Sequence, residues 1–228
     1  MRVYALVPNA GFGARMKTSL PKQYLVLDGK PVLIHTLNIL DKTQCIEKII
    51  LISDKKYIEK SRLLIQKHNI KKVSKIVCGG KTRQESVYNG LMSIRNAPDI
   101  ILIHDAARPF VTSELIRKSI EAANKYGAAV VGLPLFDTIK RVKDNCIEKT
   151  VDRNNLWRVQ TPQTFKYDLI KTAYQKAEKN KFSGTDDASL VEQLNHPVRI
   201  VQGSETNIKI TDQKQFKLLG GDYKCGLE

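Results

Sequence analysis

Short apolar runs alternate with longer amphipathic stretches through the first half of the chain and somewhat beyond. Residues 2–7 (RVYALV), 48–53 (KIILIS) and 99–104 (DIILIH) are strand-length runs of aliphatic and β-branched residues, the last two near-continuous as in strands covered on both faces. Val73–Cys78 and Ala128–Leu135 read as two more strands. Between them the apolar residues recur at helical spacing. Gln23–Leu27 is a short extended piece that Asp28-Gly29 turns into a helix, with Pro31 in its first turn and Leu33, Leu37 and Leu40 as its buried stripe. A polar helix follows from Asp54 to about His68, and Thr82-Arg83-Gln84-Glu85 reads as a capping box opening a helix to about Asn96. Thr112 or Ser113 caps a helix with Ile116, Ile120 and Ala123 on one face. This order predicts an α/β fold, a mostly parallel sheet flanked by helices with right-handed crossovers. Ligands in such sheets bind beyond the carboxyl ends of the strands.

The alternation then lapses. Thr138–Val142, Asn145–Lys149 and Val159–Phe165 read as shorter strands in a hairpin excursion, a β-arm over about 138–162. Helix returns from Tyr167 to about Ala177, with Leu169, Ile170, Ala173 and Tyr174 on one face, and a short helix begins near Asp186 behind Thr185. Arg199–Gln202 and Asn207–Thr211 read as closing strands, and Asp212 opens a final helix.

With 228 residues, 42% of them apolar, the chain suffices for one domain with a buried core. It has no run of eighteen apolar residues and no signal-peptide pattern, so the expectation is a cytoplasmic protein with no membrane partner. Cys45, Cys78, Cys146 and Cys225 show neither CxxC nor zinc spacing and read as reduced thiols. The net charge of +15 implies an anionic partner or a basic solvated surface. The lysines form no block of five, and aromatics do not interleave with them as base stacking requires, so a basic nucleic-acid-binding protein is the lesser alternative from another class.

Candidate chemistry opens the chain. Strand 2–7 breaks at Pro8 into Asn9-Ala10-Gly11-Phe12-Gly13-Ala14-Arg15-Met16-Lys17, a Gly-rich basic loop whose glycines can take positive φ and bring N–H groups onto phosphate oxygens. It lacks the GK[ST] ending of a P-loop, and Met16 stands where a dinucleotide fingerprint has its third glycine, which counts against an NAD(P)-binding oxidoreductase. Arg15 and Lys22 supply the cations that phosphate transfer needs, and Pro21 stiffens the approach to Lys22. A second constellation, His104-Asp105-Ala106-Ala107-Arg108-Pro109, leaves a strand end: Asp105 can hold a hydroxyl or Mg²⁺, and Arg108 can take a phosphate or pair with Asp105. His104 reads as a packed residue. No Gly-x-Ser-x-Gly elbow or HExxH pair is present.

The string from Pro8 to Met16 followed by Pro21-Lys22-Gln23-Tyr24 resembles the opening of the sugar-phosphate nucleotidyltransferases, and most closely the cytidylyltransferases. Those enzymes usually have Ala where this chain has Asn9, at a position bordering the cytosine. His104–Pro109 is similar to the segment in methylerythritol-phosphate cytidylyltransferases, whereas ribitol-phosphate relatives tend to carry Val at the position of Ala107. Asp137–Arg141, Val151–Arg153, Leu156-Trp157, Gln160–Gln163, Thr185–Ser189 and Asn207–Thr211 match the methylerythritol-phosphate family in order, although singly Trp157 would read as packing, Thr185 as a cap and Lys209 as a solvated lysine.

The resemblance covers nearly the whole chain and implies a Rossmann-like nucleotidyltransferase domain with a protruding arm that embraces a second subunit of a homodimer. The implied reaction joins CTP to 2-C-methyl-D-erythritol 4-phosphate, with ribitol 5-phosphate as the alternative acceptor, and uses Mg²⁺ or another divalent cation. Arg15 and Lys22 would act at the α-phosphorus, while Lys209 and Arg153, the latter on the partner's arm, position the acceptor phosphate. Thr138, Thr161 and Thr185 would surround the polyol. Gly80 and Ser86 would lie along the cytidine, Ala10, Gly11, Gly13, Ala107 and Arg108 would bind substrate, and Asp105 would hold substrate or the metal.

Overall fold

The computed structural model describes residues 1–11 and 20–225, with backbone alone over 221–225. Strand β1 (Val3–Asn9) is the centre: alternate side chains pack on opposite faces, so Val3, Ala5 and Val7 join one core cluster and Tyr4 and Leu6 the other. After a 3₁₀ turn at Lys22–Tyr24 come β2 (Leu25–Leu27) and β3 (Lys30–Pro31), joined through Asp28 (φ 46°) and Gly29 (φ 71°), both in the left-handed region that two-residue hairpins require. Pro31 is the cap of α1 (Val32–Lys42), one step ahead of the expected first-turn position.

The regular part follows as β4 (Lys48–Ser53), α2 (Ile58–Lys67), β5 (Val73–Cys78), α3 (Arg83–Met92), β6 (Ile100–Ile103), α4 (Ser113–Tyr126) and β7 (Ala128–Pro134). Thr82 caps α3 by accepting from the Glu85 N–H at 3.0 Å, whereas the Glu85 carboxylate reaches past it to the Lys81 N–H at 2.7 Å. The helix ends four residues before the expected Asn96. Ser93 closes the last turn onto Gly90, Pro98 biases Ala97 towards extended backbone, and Arg2 takes the Ala97 carbonyl. Thr112 caps α4, which stops at Gly127 (φ 89°).

The excursion consists of β8 (Ile139–Lys143) and β9 (Cys146–Val151), a separate exposed two-stranded sheet. The third strand assigned to it does not belong there. β10 (Trp157–Lys166) lies inside the main sheet, antiparallel to both β6 and β7. Then come α5 (Tyr167–Lys179), α6 (Asp187–Glu192), β11 (Arg199–Gln202), α7 (Gln213–Leu218) and β12 (Gly221–Cys225). Residues 207–211, expected as a strand, form no ladder; the Ile210 N–H instead donates to the Ala107 carbonyl at 2.9 Å, docking the segment onto a loop. β12, not foreseen, pairs antiparallel with β2.

The main sheet runs β11-β7-β10-β6-β1-β4-β5, parallel except for β10. One core cluster buries α1, α2 and α4 against one face, and the other buries α3, α5 and α6 against the opposite face. From β1 the chain passes to β4 on one side and later to β6 on the other, so strand order reverses at β1, the switch point where doubly wound sheets open a crevice. No helix among the described residues is long and apolar enough to cross a membrane.

Candidate active site

A cleft of about 510 Å³ opens at that switch point, within the usual range for small-ligand sites. It is lined by the end of β1 (Pro8, Asn9, Ala10, Gly11), Lys22, Gln23, Asp54, the β5–α3 turn and first turn (Gly80, Lys81, Thr82, Arg83, Ser86), Asp105–Ala107 and Lys209. Asn9, Ser53 and Cys78 are in register, so β1, β4 and β5 deliver their following loops to one edge. Lys22, Lys81, Arg83 and Lys209 face only Asp54 and Asp105 among the described lining residues, a balance suited to a polyanion.

Close approach shapes the wall at the start of α3. A Cβ on Gly79 would lie 2.6 Å from that of Ala10, and one on Gly80 2.4 Å from that of Glu85. Ser86 Oγ donates to the Thr82 carbonyl at 2.8 Å and accepts from the Gly80 N–H at 3.0 Å, fixing that turn. Gly11, in contrast, borders open space and does not use the positive φ that a glycine allows. Its absent side chain leaves room above the backbone.

Lys22 is 8% exposed at the cleft floor, in a segment tied to β1 by its neighbours. Gln23 Nε2 donates to the carbonyls of Asn9 (2.7 Å) and Gly11 (3.1 Å). Asn9 turns its side chain inward, and its Nδ2 donates to the Tyr24 hydroxyl at 2.8 Å, which also meets Ser53 and Ser61. The departure at Asn9 therefore braces the segment that carries Lys22 from below, and the backbone of residue 9 still lines the cleft.

Asp105 is the charged centre. Arg83 Nε donates to its Oδ1 at 3.1 Å, Lys209 Nζ to its Oδ2 at 2.6 Å, and Arg108 Nε lies 4.0 Å from Oδ2. Burial raises its pKa, but Arg83, Lys209 and Arg108 outweigh burial and hold the carboxyl well below the usual carboxylate range. Beneath it, the Asp105 N–H donates to Thr161 Oγ1 (3.2 Å), which meets His104 Nδ1 (3.0 Å), while His104 Nε2 faces the Arg108 carbonyl (3.1 Å). A carbonyl can only accept, so Nε2 carries the proton and Nδ1 accepts from Thr161. Burial lowers the His104 pKa to about 4, keeping that ring neutral near pH 7.

Arg83 extends the cluster. Its two terminal nitrogens donate to both oxygens of Asp187, at 2.9 and 2.7 Å, and Asp187 is fully buried. Tyr174 Oη donates to the same carboxylate, and Gln163 Oε1 accepts from the Asp187 N–H at 3.0 Å. Burial and the Asp187 charge hold the Tyr174 hydroxyl protonated.

Of the residues named from sequence, Ala10, Gly11, Lys22, Gly80, Ser86, Asp105, Ala107 and Lys209 line one cleft. Arg15 and Gly13 lie outside the described residues. Arg108 is buried and donates to the Asn207 carbonyl at 2.7 Å, and Thr161 turns inward onto His104, so both brace the Asp105 loop. Thr138, Arg153 and Thr185 are exposed and do not line this chain's cleft; Arg153 donates to the Phe136 carbonyl at the arm's base. Sequence reasoning missed Arg83, Asp187 and Tyr174.

A family model for 2-C-methyl-D-erythritol 4-phosphate cytidylyltransferase matches residues 3–219. Relatives carrying that name from Syntrophus aciditrophicus and Bacillus velezensis are 44% and 46% identical, each alignment covering 92% of this chain and 91% of the relative. Among solved structures, a 4-diphosphocytidyl-2C-methyl-D-erythritol synthase from Anaerococcus prevotii superposes with a TM-score of 0.83 at 30% identity, covering 95% of this chain and 93% of its own. A 2-C-methyl-D-erythritol 4-phosphate cytidylyltransferase from Thermus thermophilus gives 0.79 at 31% identity, with 94% and 95% covered.

Proposed function

Because the chain belongs to the 2-C-methyl-D-erythritol 4-phosphate cytidylyltransferase family, we propose that the cleft at the switch point is where its reaction occurs. The enzyme transfers a cytidylyl group from CTP to 2-C-methyl-D-erythritol 4-phosphate in isoprenoid precursor biosynthesis. The products are 4-diphosphocytidyl-2-C-methyl-D-erythritol and pyrophosphate. The observation that carries the site assignment is the convergence of Arg83 and Lys209 on Asp105 in a cleft that Lys22 also lines.

An oxygen of the acceptor phosphate forms a bond to the α-phosphorus of CTP as the bond from that phosphorus to the β-bridging oxygen breaks and pyrophosphate leaves. That acceptor oxygen is already anionic near neutral pH, so the site needs no strong base. What it must supply is charge and alignment. Lys22, with Arg15, meets the negative charge on the pentavalent phosphorus and the leaving group. Lys209, with Arg153 from a partner's arm, holds the acceptor phosphate in line. Gly80 and Ser86 border the cytidine.

No group of three His, Cys, Asp or Glu side chains suited to a metal occurs among the described residues. Asp105, the carboxylate expected to hold Mg²⁺, has one oxygen on Arg83 and the other on Lys209, with Arg108 beside it, so this chain's own donors do not fit a resident divalent cation. Mg²⁺ or another divalent cation arriving with the triphosphate would supply further neutralisation. The exposed arm supports a homodimer, and charged, water-soluble substrates support a cytoplasmic location.

Acceptor exchange tests the reading. With CTP, pyrophosphate release is expected to be at least about a hundredfold more efficient for methylerythritol phosphate than for ribitol 5-phosphate, because a site built to hydrogen-bond one polyol leaves polar groups unpaired with another. The reverse preference would reassign the acceptor.

A further inference from the structure

Lys209 has two claims on it. Its ammonium sits 2.6 Å from Asp105 Oδ2, yet the proposed reaction asks it to meet the incoming acceptor phosphate. When it turns to that phosphate, Asp105, only 6% exposed, needs another cation to hold its charge and orientation.

Arg83 is built for that task. Its Nε contacts Asp105 Oδ1, and its two terminal nitrogens are spent on the two oxygens of Asp187. A guanidinium committed through three nitrogens cannot follow a phosphate as a lysine on a flexible stem can. The clamp is itself clamped. Asp187 receives the Tyr174 hydroxyl, and its backbone N–H donates to Gln163 Oε1 on β10, two residues beyond Thr161, which accepts from the Asp105 N–H. Backbone and side chain of Asp105 are thus referred to the same strand by two routes.

We propose that Arg83, locked by Asp187 and Tyr174, is a positioning residue for the transfer: it keeps the Asp105 carboxylate in place while Lys209 moves to the acceptor phosphate. This rests on the assignment of Asp105 and Lys209 above. The loss should fall on turnover, because the demand on Arg83 arises once Lys209 is engaged by acceptor.

Turnover is measured per CTP-binding site, with sites counted by calorimetric titration. Asp187→Asn is expected to lower kcat about ten- to hundredfold, the loss typical of a catalytic group displaced by about an ångström, with the Kd for CTP changed by less than about threefold. Arg83→Lys, which keeps the charge but cannot make both contacts, is expected to fall in the same range. Tyr174→Phe should lose about three- to tenfold alone and nothing further in an Asp187→Asn background, since both act through one clamp. A merely structural role would reduce the number of titratable sites and the Tm while leaving kcat per site intact, and that result overturns the proposal. Multiplicative losses in the double variant also overturn it. If Asp187→Asn does not fold, Tyr174→Phe decides alone: a lowered kcat supports the clamp, and an unchanged kcat overturns it. Wild-type protein releasing no pyrophosphate from CTP and methylerythritol phosphate would instead remove the reading beneath the proposal.

Discussion

His104 shows how one buried ring sets a pH limit on the site. The unfolded chain takes up a proton there near pH 6.5 and the folded chain only near pH 4, so between those values the unfolded state binds more protons and stability falls as the solution is acidified. From pH 7 to pH 5 this residue removes about 2 kcal/mol of stability, obtained by linkage from the two pKa values. Urea unfolding at the two pH values reads the loss, and the His104 resonance in an NMR titration should stay neutral down to pH 5. Protonation above pH 6 would contradict the buried, hydrogen-bonded ring. Asp105 adds to the loss at lower pH, because its depressed pKa contributes stability that disappears as its carboxylate is protonated. Lys22 and Asp105 were legible as lining the cleft because each sits in a string whose local pattern marks it, whereas Lys209 was reached only through the resemblance. Arg83 was not legible. It falls within Thr82-Arg83-Gln84-Glu85, where helix initiation accounts for the string, and its partner Asp187 is 104 positions away, a pairing that no spacing rule encodes. Of the two readings open for Arg108, the structure shows the pairing with Asp105, and it turns Thr161 onto His104; which way such a polar side chain faces depends on packing that sequence does not display.

Among the elements, the β8–β9 arm carries the strongest prediction. A two-stranded hairpin is marginal by itself in water, and Ile147 at 65% and Phe136 at its base at 72% exposure are expensive to leave wet. A twofold partner presenting the same patch would cover both arms. With Arg153 outside its own chain's cleft, a dimer would let each arm complete the other chain's acceptor site. Mixing Arg153→Ala with Lys22→Ala chains should therefore restore part of the activity that each lacks, since one site of the heterodimer carries both lesions and the other none. Mixtures as inactive as their components, under conditions where subunits demonstrably exchange, would return Arg153 to its own chain. The arm's hairpin was legible because alternation lapses there, but β10 was misplaced for a physical reason. Its run of Gln160, Thr161, Gln163 and Thr164 is too polar to read as a central strand, yet Asn207, His104, Asp186 and Ser119 respectively give each a hydrogen-bond partner.

At the scale of the whole molecule, near-continuous apolar runs announced the parallel strands, and their carboxyl ends located the cleft. The order of strands was less legible, because it depends on which edges meet. β6 and β7 are consecutive parallel-sheet strands in sequence, yet β10 lies between them. A gap two strand spacings wide, about 10 Å, therefore separates them until residues beyond 156 arrive. This gives the molecule a timetable. A chain emerging from its N-terminus can assemble β1, β4, β5 and β6 early, with Gly80 and Lys22 already in the cleft wall, while Asp105 still lacks Thr161 and Arg83 still lacks Asp187. In pulse-labelled hydrogen exchange during refolding, amides of β1, β4 and β6 should gain protection before those of β7, β10 and β11; simultaneous protection would show that the slot is filled as fast as its walls are raised.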